Sequence, residues 1–315
     1  MKKIAFVFPG QGSQYVGMGE DIYKKYEIVR ETFDKAQEAL GYNLSYICFN
    51  GPKGKLDETI YTQVAILIVS ISFLKVIKEE NKQLIPEVVA GHSLGEYTAL
   101  FAAEALNEQS VLEIVNLRAK YMQEEANKYA GGMVAILGKS REDVELICEK
   151  ARSKCSKKGE ILQIANLNCP LQVIISGTKE VLALAMTLAK DEGAKRVVPL
   201  TVSGPFHSLA MNRSADKINY ILETVDIKTP RVPIVANFTA EYVQDIKLIK
   251  KYLVEQIRNP VLWEDSIRNM IKKGINVFVE IGPGKVISGL INRIDKSVKT
   301  ININDLNSLQ KFIEQ

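Results

Sequence analysis

Histidine is scarce in this chain. His92 and His207 are the only two among 315 residues, so any chemistry that needs an imidazole is confined to two positions. The four cysteines, Cys48, Cys148, Cys155 and Cys169, contain no C-x-x-C pair. With so few histidines beside them, the material for a zinc site is poor, and no metal site is expected. Scattered thiols without a disulfide framework fit a reducing cytoplasm, where they are buried or idle. The chain also lacks a dense Lys/Arg block, and its formal net charge is only +4. Nucleic acid is therefore a poor partner, whereas a mild positive field suits an acidic protein or a phosphate-bearing substrate. The longest apolar segment, Val64 to Leu74, contains serines and is too short to span a bilayer, so no membrane segment is expected. Met1-Lys2-Lys3 and the apolar residues after it imitate a signal peptide. The stretch breaks at Pro9-Gly10 without a cleavage site and reads instead as a first buried strand.

Two glycine-rich strings fall short of nucleotide motifs. Gly282-Pro283-Gly284-Lys285 misses the phosphate-loop spacing, because position 279 is Val and the lysine is followed by Val286. Gly10-Gln11-Gly12 misses the dinucleotide fingerprint, because position 15 is Tyr. Both read as tight turns, and no cofactor is expected.

The elements alternate in a way that indicates α/β architecture. Ile4 to Phe8 and Val88 to Ala90 are apolar without strict alternation. They are separated by helical stretches at about Asp21 to Leu40 and Gln63 to Glu80. Such strands, joined by long helical crossovers, predict a parallel sheet covered on both faces. A further helix runs from Ser110 to about Lys128. The middle of the chain then reads strand (Met133 to Leu137), helix (Arg141 to Lys154), strand (Ile161 to Leu167), strand (Gln172 to Ser176), helix (Lys179 to Glu192) and strand (Lys195 to Val202). That β-α-β-β-α-β order is ferredoxin-like and can bury its own core. Residues 130–201 are accordingly expected to form a subdomain inserted into a body of residues 1–129 and 202–315. The body resumes with strands at Ile234 to Asn237 and Asn276 to Ile281 and helices at Asp245 to Ile257 and Trp263 to Lys273.

Gly91-His92-Ser93-Leu94-Gly95 follows a strand and opens a helix-forming stretch, Glu96 to Leu106. A G-x-S-x-G string in that setting is a nucleophile elbow: the sharp turn exposes the serine hydroxyl, and the flanking glycines let the backbone bend. The N–H after the serine then points toward a developing oxyanion near the positive end of the helix. A serine needs a base to take its proton. His92, adjacent on the turn, points elsewhere and is expected to pack or to bond backbone. His207 lies in Ser203-Gly204-Pro205-Phe206-His207-Ser208, directly after a predicted strand, where α/β proteins hold catalytic groups. Many acids lie between Ser93 and His207, none in a distinctive setting. Spacing leaves open whether an acid or a backbone carbonyl orients the imidazole.

With these residues placed, the chain resembles the bacterial malonyl-CoA:acyl-carrier-protein transacylases of fatty-acid synthesis, relatives of polyketide synthase acyltransferase domains. The resemblance covers nearly the whole length. It rests on Phe8 to Gln14, Gly91 to Glu96, Leu117 to Gln123, Ser203 to Ser208, Glu255 to Trp263 and Glu280 to Val286. It implies an α/β-hydrolase-like body with a parallel sheet and a ferredoxin-like insertion. It implies Ser93 as acylated nucleophile, His207 as base, and the backbone N–H groups of Gln11 and Leu94 as oxyanion hole. By the same resemblance Arg118 holds the malonyl carboxylate, Gln256 orients His207 through its carbonyl, and Asn166 and Asn168 line the cleft. Phe206, a bulky residue just before the histidine, goes with malonyl rather than methylmalonyl. An arginine suits the carboxylate because an unpaired charge in a partly dry cleft is costly and a planar guanidinium gives two parallel charge-assisted bonds.

The implied reaction is ping-pong transfer from malonyl-CoA through a malonyl-serine to the phosphopantetheine thiol of acyl carrier protein, in the cytoplasm, by a monomer. Its rivals are a free-standing acyltransferase serving a polyketide synthase, a thioesterase that hands the acyl group to water, and a non-catalytic carrier-binding protein.

Overall fold

The apolar runs Ile4–Phe8 and Val88–Gly91 lie side by side at the centre of the larger of two sheets in the computed structural model, which describes residues 3–314. Among the described residues ten strands occur in chain order: β1 (Ile4–Phe8), β2 (Val88–Gly91), β3 (Gly131–Leu137), β4 (Leu162–Cys169), β5 (Gln172–Thr178), β6 (Arg196–Pro199), β7 (Ile234–Val235), β8 (Tyr242–Val243), β9 (Val277–Ile281) and β10 (Lys299–Ile303). The large sheet has the order β10-β9-β1-β2-β7-β8. β1 pairs in parallel with β2 on one side (Val7 opposite Ala90) and with β9 on the other (Val7 opposite Glu280). Alternate residues of the central strands feed different cores: Phe6, Phe8 and Val89 join the cluster on one face, and Ala5, Val7, Val88 and Ala90 join that on the other. This is why the strands read as continuous apolar runs.

The structure changes several expectations. The large sheet is not wholly parallel, because the short edge strand β8 runs antiparallel to β7. The single helix expected over Asp21 to Leu40 is broken at Tyr26, whose extended backbone separates Glu20–Lys25 from Glu27–Leu40. No glycine or proline marks that break. β10 was not expected; its polar-apolar alternation, Thr300-Ile301-Asn302-Ile303, is short, Lys299 is exposed and only Ile303 is buried. The apolar helix is longer than its uninterrupted run: Thr59–Glu80 has 22 residues and is long and apolar enough to cross a membrane, but 83% of its apolar window is buried inside the protein. It is a core helix, packed against Glu27–Leu40 and Glu108–Lys128. Its two serines do not break it: Ser72 bonds back to the Ile68 carbonyl, and the buried Ser70 hydroxyl has no hydrogen-bond partner among the described residues.

The smaller sheet has the order β4-β5-β3-β6 with every pairing antiparallel. Its core, with Val134, Ile147, Ile164, Ile175 and Val181 among its residues, is separate from the two large-sheet cores. Helices Arg141–Lys154 and Lys179–Asp191 supply half of it. Two backbone bonds tie β4 to the rest of the chain: Val261 N–H donates to Ala165 O at 2.9 Å, and Leu167 N–H donates to Val261 O at 3.0 Å. The cleft lies at this junction.

Candidate active site

Ser93 stands between β2 and helix Gly95–Ala102 with φ 51°, in the left-handed region that non-glycine residues seldom enter. The turn closes so tightly that a Cβ on Gly91 would lie 1.9 Å from the Gly95 carbonyl oxygen, and one on Gly95 would lie 2.3 Å from the Phe8 carbonyl oxygen. Asn237, fully buried just after β7, pins the turn from below. Its Oδ1 accepts from Ser93 N–H at 2.7 Å, and its Nδ2 donates to Gly91 O at 2.7 Å. Strain of this kind persists only where the surroundings over-determine it.

His207 also has a positive φ, 55°. Its Nδ1–H donates to the Gln256 carbonyl at 2.7 Å, which leaves Nε2 as the acceptor for the Ser93 hydroxyl 2.8 Å away. Burial, followed by the positive charge of Arg118, pushes the imidazole down to about 3. A neutral ring at that distance can take the serine proton. Gln163, on β4, donates to the His207 carbonyl at 3.3 Å and to that of Arg258 at 3.2 Å, joining the small sheet to the histidine loop.

Arg118 is 1% exposed although it sits midway along helix Glu108–Lys128. Nη1 donates to Gln63 Oε1 at 2.5 Å; Nη2 donates to Ser93 Oγ at 3.0 Å and to Gln256 Oε1 at 2.9 Å. Its carbon lies 5.4 Å from the ring centre of Tyr97. A buried guanidinium held by neutral groups, with no carboxylate bonded to it, can receive an anion. Glu96, buried beneath it, is pushed up to about 7 by desolvation, against the lowering pull of its bonds to Gln256 and Asn237.

The cleft has a volume of about 120 Å³ and is lined by Gln11, Ser93, Leu94, Arg118, Phe206 and His207, among others. Asn166 and Asn168, from β4, also line it. Among the described residues, the N–H groups of Gln11 and Leu94 have no protein acceptor, which leaves both free for a ligand oxygen. His92 packs its ring edge on Trp263 at 5.5 Å, as expected of a structural histidine. Its polar partner is a side chain, however: Nε2 meets Asn168 Oδ1 at 2.9 Å rather than a backbone group. The structure thus brings every expected site residue to one place. Among the described residues no cluster of three His, Cys, Asp or Glu is arranged to hold a metal ion.

Three residues of this constellation escaped the sequence reading. Gln63 stands at the head of the apolar helix run, and a polar side chain that begins an otherwise buried helix was its one signal. Asn237 ends the predicted strand Ile234 to Asn237, the position where α/β sheets present functional groups. Glu96 looks like any acid in the first turn of a helix, where the dipole favours it.

Comparison with known proteins gives one consistent result. The acyl transferase domain family matches residues 5–309. The malonyl CoA-acyl carrier protein transacylase of Bacillus subtilis is 42% identical over 314 residues, covering 100% of this chain and 97% of its own. A crystal structure of an acyl carrier protein S-malonyltransferase from Vibrio cholerae superimposes with a TM-score of 0.92 at 37% identity, covering 99% of this chain and 100% of that one. A malonyl-transacylase in complex with its type II polyketide synthase acyl carrier protein gives a TM-score of 0.94 at 36% identity, with 99% of each chain covered.

Proposed function

Because the chain belongs to the acyl transferase family, we propose that it transfers malonyl groups from malonyl-CoA to the phosphopantetheine thiol of an acyl carrier protein, in fatty-acid synthesis. The observation that carries this reading is the 3.0 Å contact between the buried Arg118 fork and Ser93 Oγ. It places a carboxylate receptor one short acyl chain from a nucleophile.

In the first half-reaction His207 Nε2 takes the Ser93 proton and Oγ attacks the thioester carbonyl. The resulting oxyanion is received by the N–H groups of Gln11 and Leu94. The carbon–sulfur bond breaks and the departing CoA sulfur takes the proton from His207. In the second half-reaction the carrier thiol gives its proton to His207 and its sulfur attacks the malonyl-serine. Ser93 Oγ leaves and regains its proton. Arg118 holds the malonyl carboxylate throughout, Gln256 O keeps His207 oriented, and Asn166 and Asn168 form the wall of the cleft. Phe206 crowds the α-carbon and favours malonyl over methylmalonyl, by about 1–3 kcal/mol for one methyl group.

We read the small sheet and its two helices, residues 130–201, as a ferredoxin-like subdomain set into a hydrolase-like body of residues 1–129 and 202–315. The reading is supported by the strand order and the separate core. The chain is taken to work as a cytoplasmic monomer, apart from membranes and nucleic acid. Intact-mass measurement tests the central claim. One malonyl adduct on Ser93 should form with malonyl-CoA alone and disappear when holo-carrier is added; an adduct elsewhere, or none, overturns it. The polyketide-synthase complex among the structural neighbours supports a second reading, in which the acceptor is a polyketide carrier protein. Competition between fatty-acid and polyketide carriers for the malonyl-enzyme separates the two.

A further inference from the structure

Gln256 bonds to the histidine and arginine side chains and to the backbone of the serine. Its carbonyl receives His207 Nδ1–H at 2.7 Å, its Oε1 receives Arg118 at 2.9 Å, and its Nε2 donates to the Ser93 carbonyl at 2.8 Å. An amide of this kind can face Arg118 with either end, and only one end is useful. Presented oxygen first, it accepts from the guanidinium and holds it. Presented nitrogen first, it sets N–H against N–H and pushes the guanidinium away.

Two acceptors face the amide nitrogen, the Ser93 carbonyl and Glu96, and Glu96 makes the shorter bond. Its Oε2 accepts from Gln256 Nε2 at 2.6 Å, and its Oε1 accepts from the Asn237 N–H at 3.3 Å. When ionised, Glu96 offers acceptors only, and it then turns the amide nitrogen toward residue 96 and the amide oxygen toward residue 118. The two donors facing Glu96 also make the position specific. A glutamine there has one oxygen to serve both, and its own NH₂ would attract the oxygen of Gln256. Glu96 is 3% exposed and does not line the cleft. Its influence on a substrate is indirect: through Gln256 it reaches Arg118, whereas through Asn237 it reaches the Ser93 turn and would affect both acyl donors alike.

We propose that Glu96 is a positioning residue for diacid selectivity: through the side-chain amide of Gln256, its carboxylate holds Arg118 in the orientation that receives a substrate carboxylate. This rests on the reading of Arg118 as the malonyl receptor. A plain helix-terminal role for Glu96 would affect stability and leave substrate preference untouched.

The test compares acylation by malonyl-CoA with acylation by acetyl-CoA in the wild type, Glu96→Gln, Gln256→Met, the double variant and Arg118→Ala. For Glu96→Gln the KM for malonyl-CoA should rise about tenfold with kcat nearly unchanged, while kcat/KM for acetyl-CoA stays within about twofold. Gln256→Met should lower the malonyl-to-acetyl ratio by a similar factor, and adding Glu96→Gln to it should lower the ratio no further. Equal losses on both donors, or additive losses in the double variant, overturn the proposal. If Arg118→Ala collapses the ratio and Glu96→Gln does not, this inference alone fails; if Arg118→Ala leaves the ratio intact, the malonyl receptor reading fails and takes this one with it. Should Glu96→Gln not yield folded protein, Gln256→Met still decides, because an unchanged ratio there removes the link between the amide and the guanidinium.

Discussion

Nδ1 of His207 lies 2.7 Å from the backbone carbonyl of Gln256, in the place that an aspartate holds in a Ser-His-Asp triad. A carbonyl fixes the tautomer as well as a carboxylate does, but it adds no negative charge to favour the imidazolium. Burial and Arg118 act in the opposite direction and lower the ring from its ordinary 6.5 to about 3.

A histidine that stays neutral as the pH falls remains a base. In the free enzyme, the rate at which a small uncharged sulfonyl fluoride modifies Ser93 should be nearly flat from pH 8 down to about pH 5, with the acid limb lying well below the ordinary histidine value. An acid limb centred near 6.5 would show that the ring is neither desolvated nor influenced by the guanidinium.

Arg118→Lys tests geometry separately from charge. A lysine keeps the positive charge but cannot form two parallel bonds, and its shorter reach loses Gln63 or Gln256. We expect kcat/KM for malonyl-CoA to fall by about two orders of magnitude in both Arg118→Ala and Arg118→Lys, with a much smaller loss for acetyl-CoA. Full activity in Arg118→Lys would mean that charge alone suffices.

Asn237 bridges two backbone groups of the elbow, and its replacement by Ala leaves both of them buried and unpaired. A loss of about 3 kcal/mol in unfolding free energy is expected, measured by urea titration with an unchanged slope. Ser93 acylation should slow as well, because the strained turn loses its anchor. A cost below about 1 kcal/mol would show that water or a neighbour takes over both bonds.

Gly95→Ala has no room, since the added methyl would meet the Phe8 carbonyl at 2.3 Å, backbone against side chain on two rigid elements. The variant should fail to accumulate as folded protein or lose more than about 4 kcal/mol. A wild-type urea midpoint would contradict the packing of the elbow against β1.

The parts of this molecule that were legible in the sequence are those with short-range causes. Strands β1 and β2 are apolar on both faces, and the elbow has glycines where the backbone needs them. The small sheet alternates strands and helices at regular spacing. β10 was not legible because it is completed by pairing with β9, and the break at Tyr26 because no glycine or proline marks it, Arg30 taking up the freed carbonyls of Tyr23 and Lys24. The same holds within the site. Ser93 and His207 could be picked out by motif and by scarcity. Gln63, Glu96 and Asn237 are common polar residues whose importance arises only when residues 63, 96, 118, 237 and 256 meet. Arg118 stands between these cases: on an isolated helix it is an ordinary surface arginine, and the resemblance to a family singled it out.

Strand-like bonds from Ala165 and Leu167 tie the small sheet to Val261, and the Gln163 amide ties it to the carbonyl of His207, in the loop that presents the base. Rotating that sheet outward would pull on the loop that aligns the imidazole with the hydroxyl. Shape adjustment with the sheet in place falls to flexible side chains, and the cleft wall carries two methionines, Met122 and Met133.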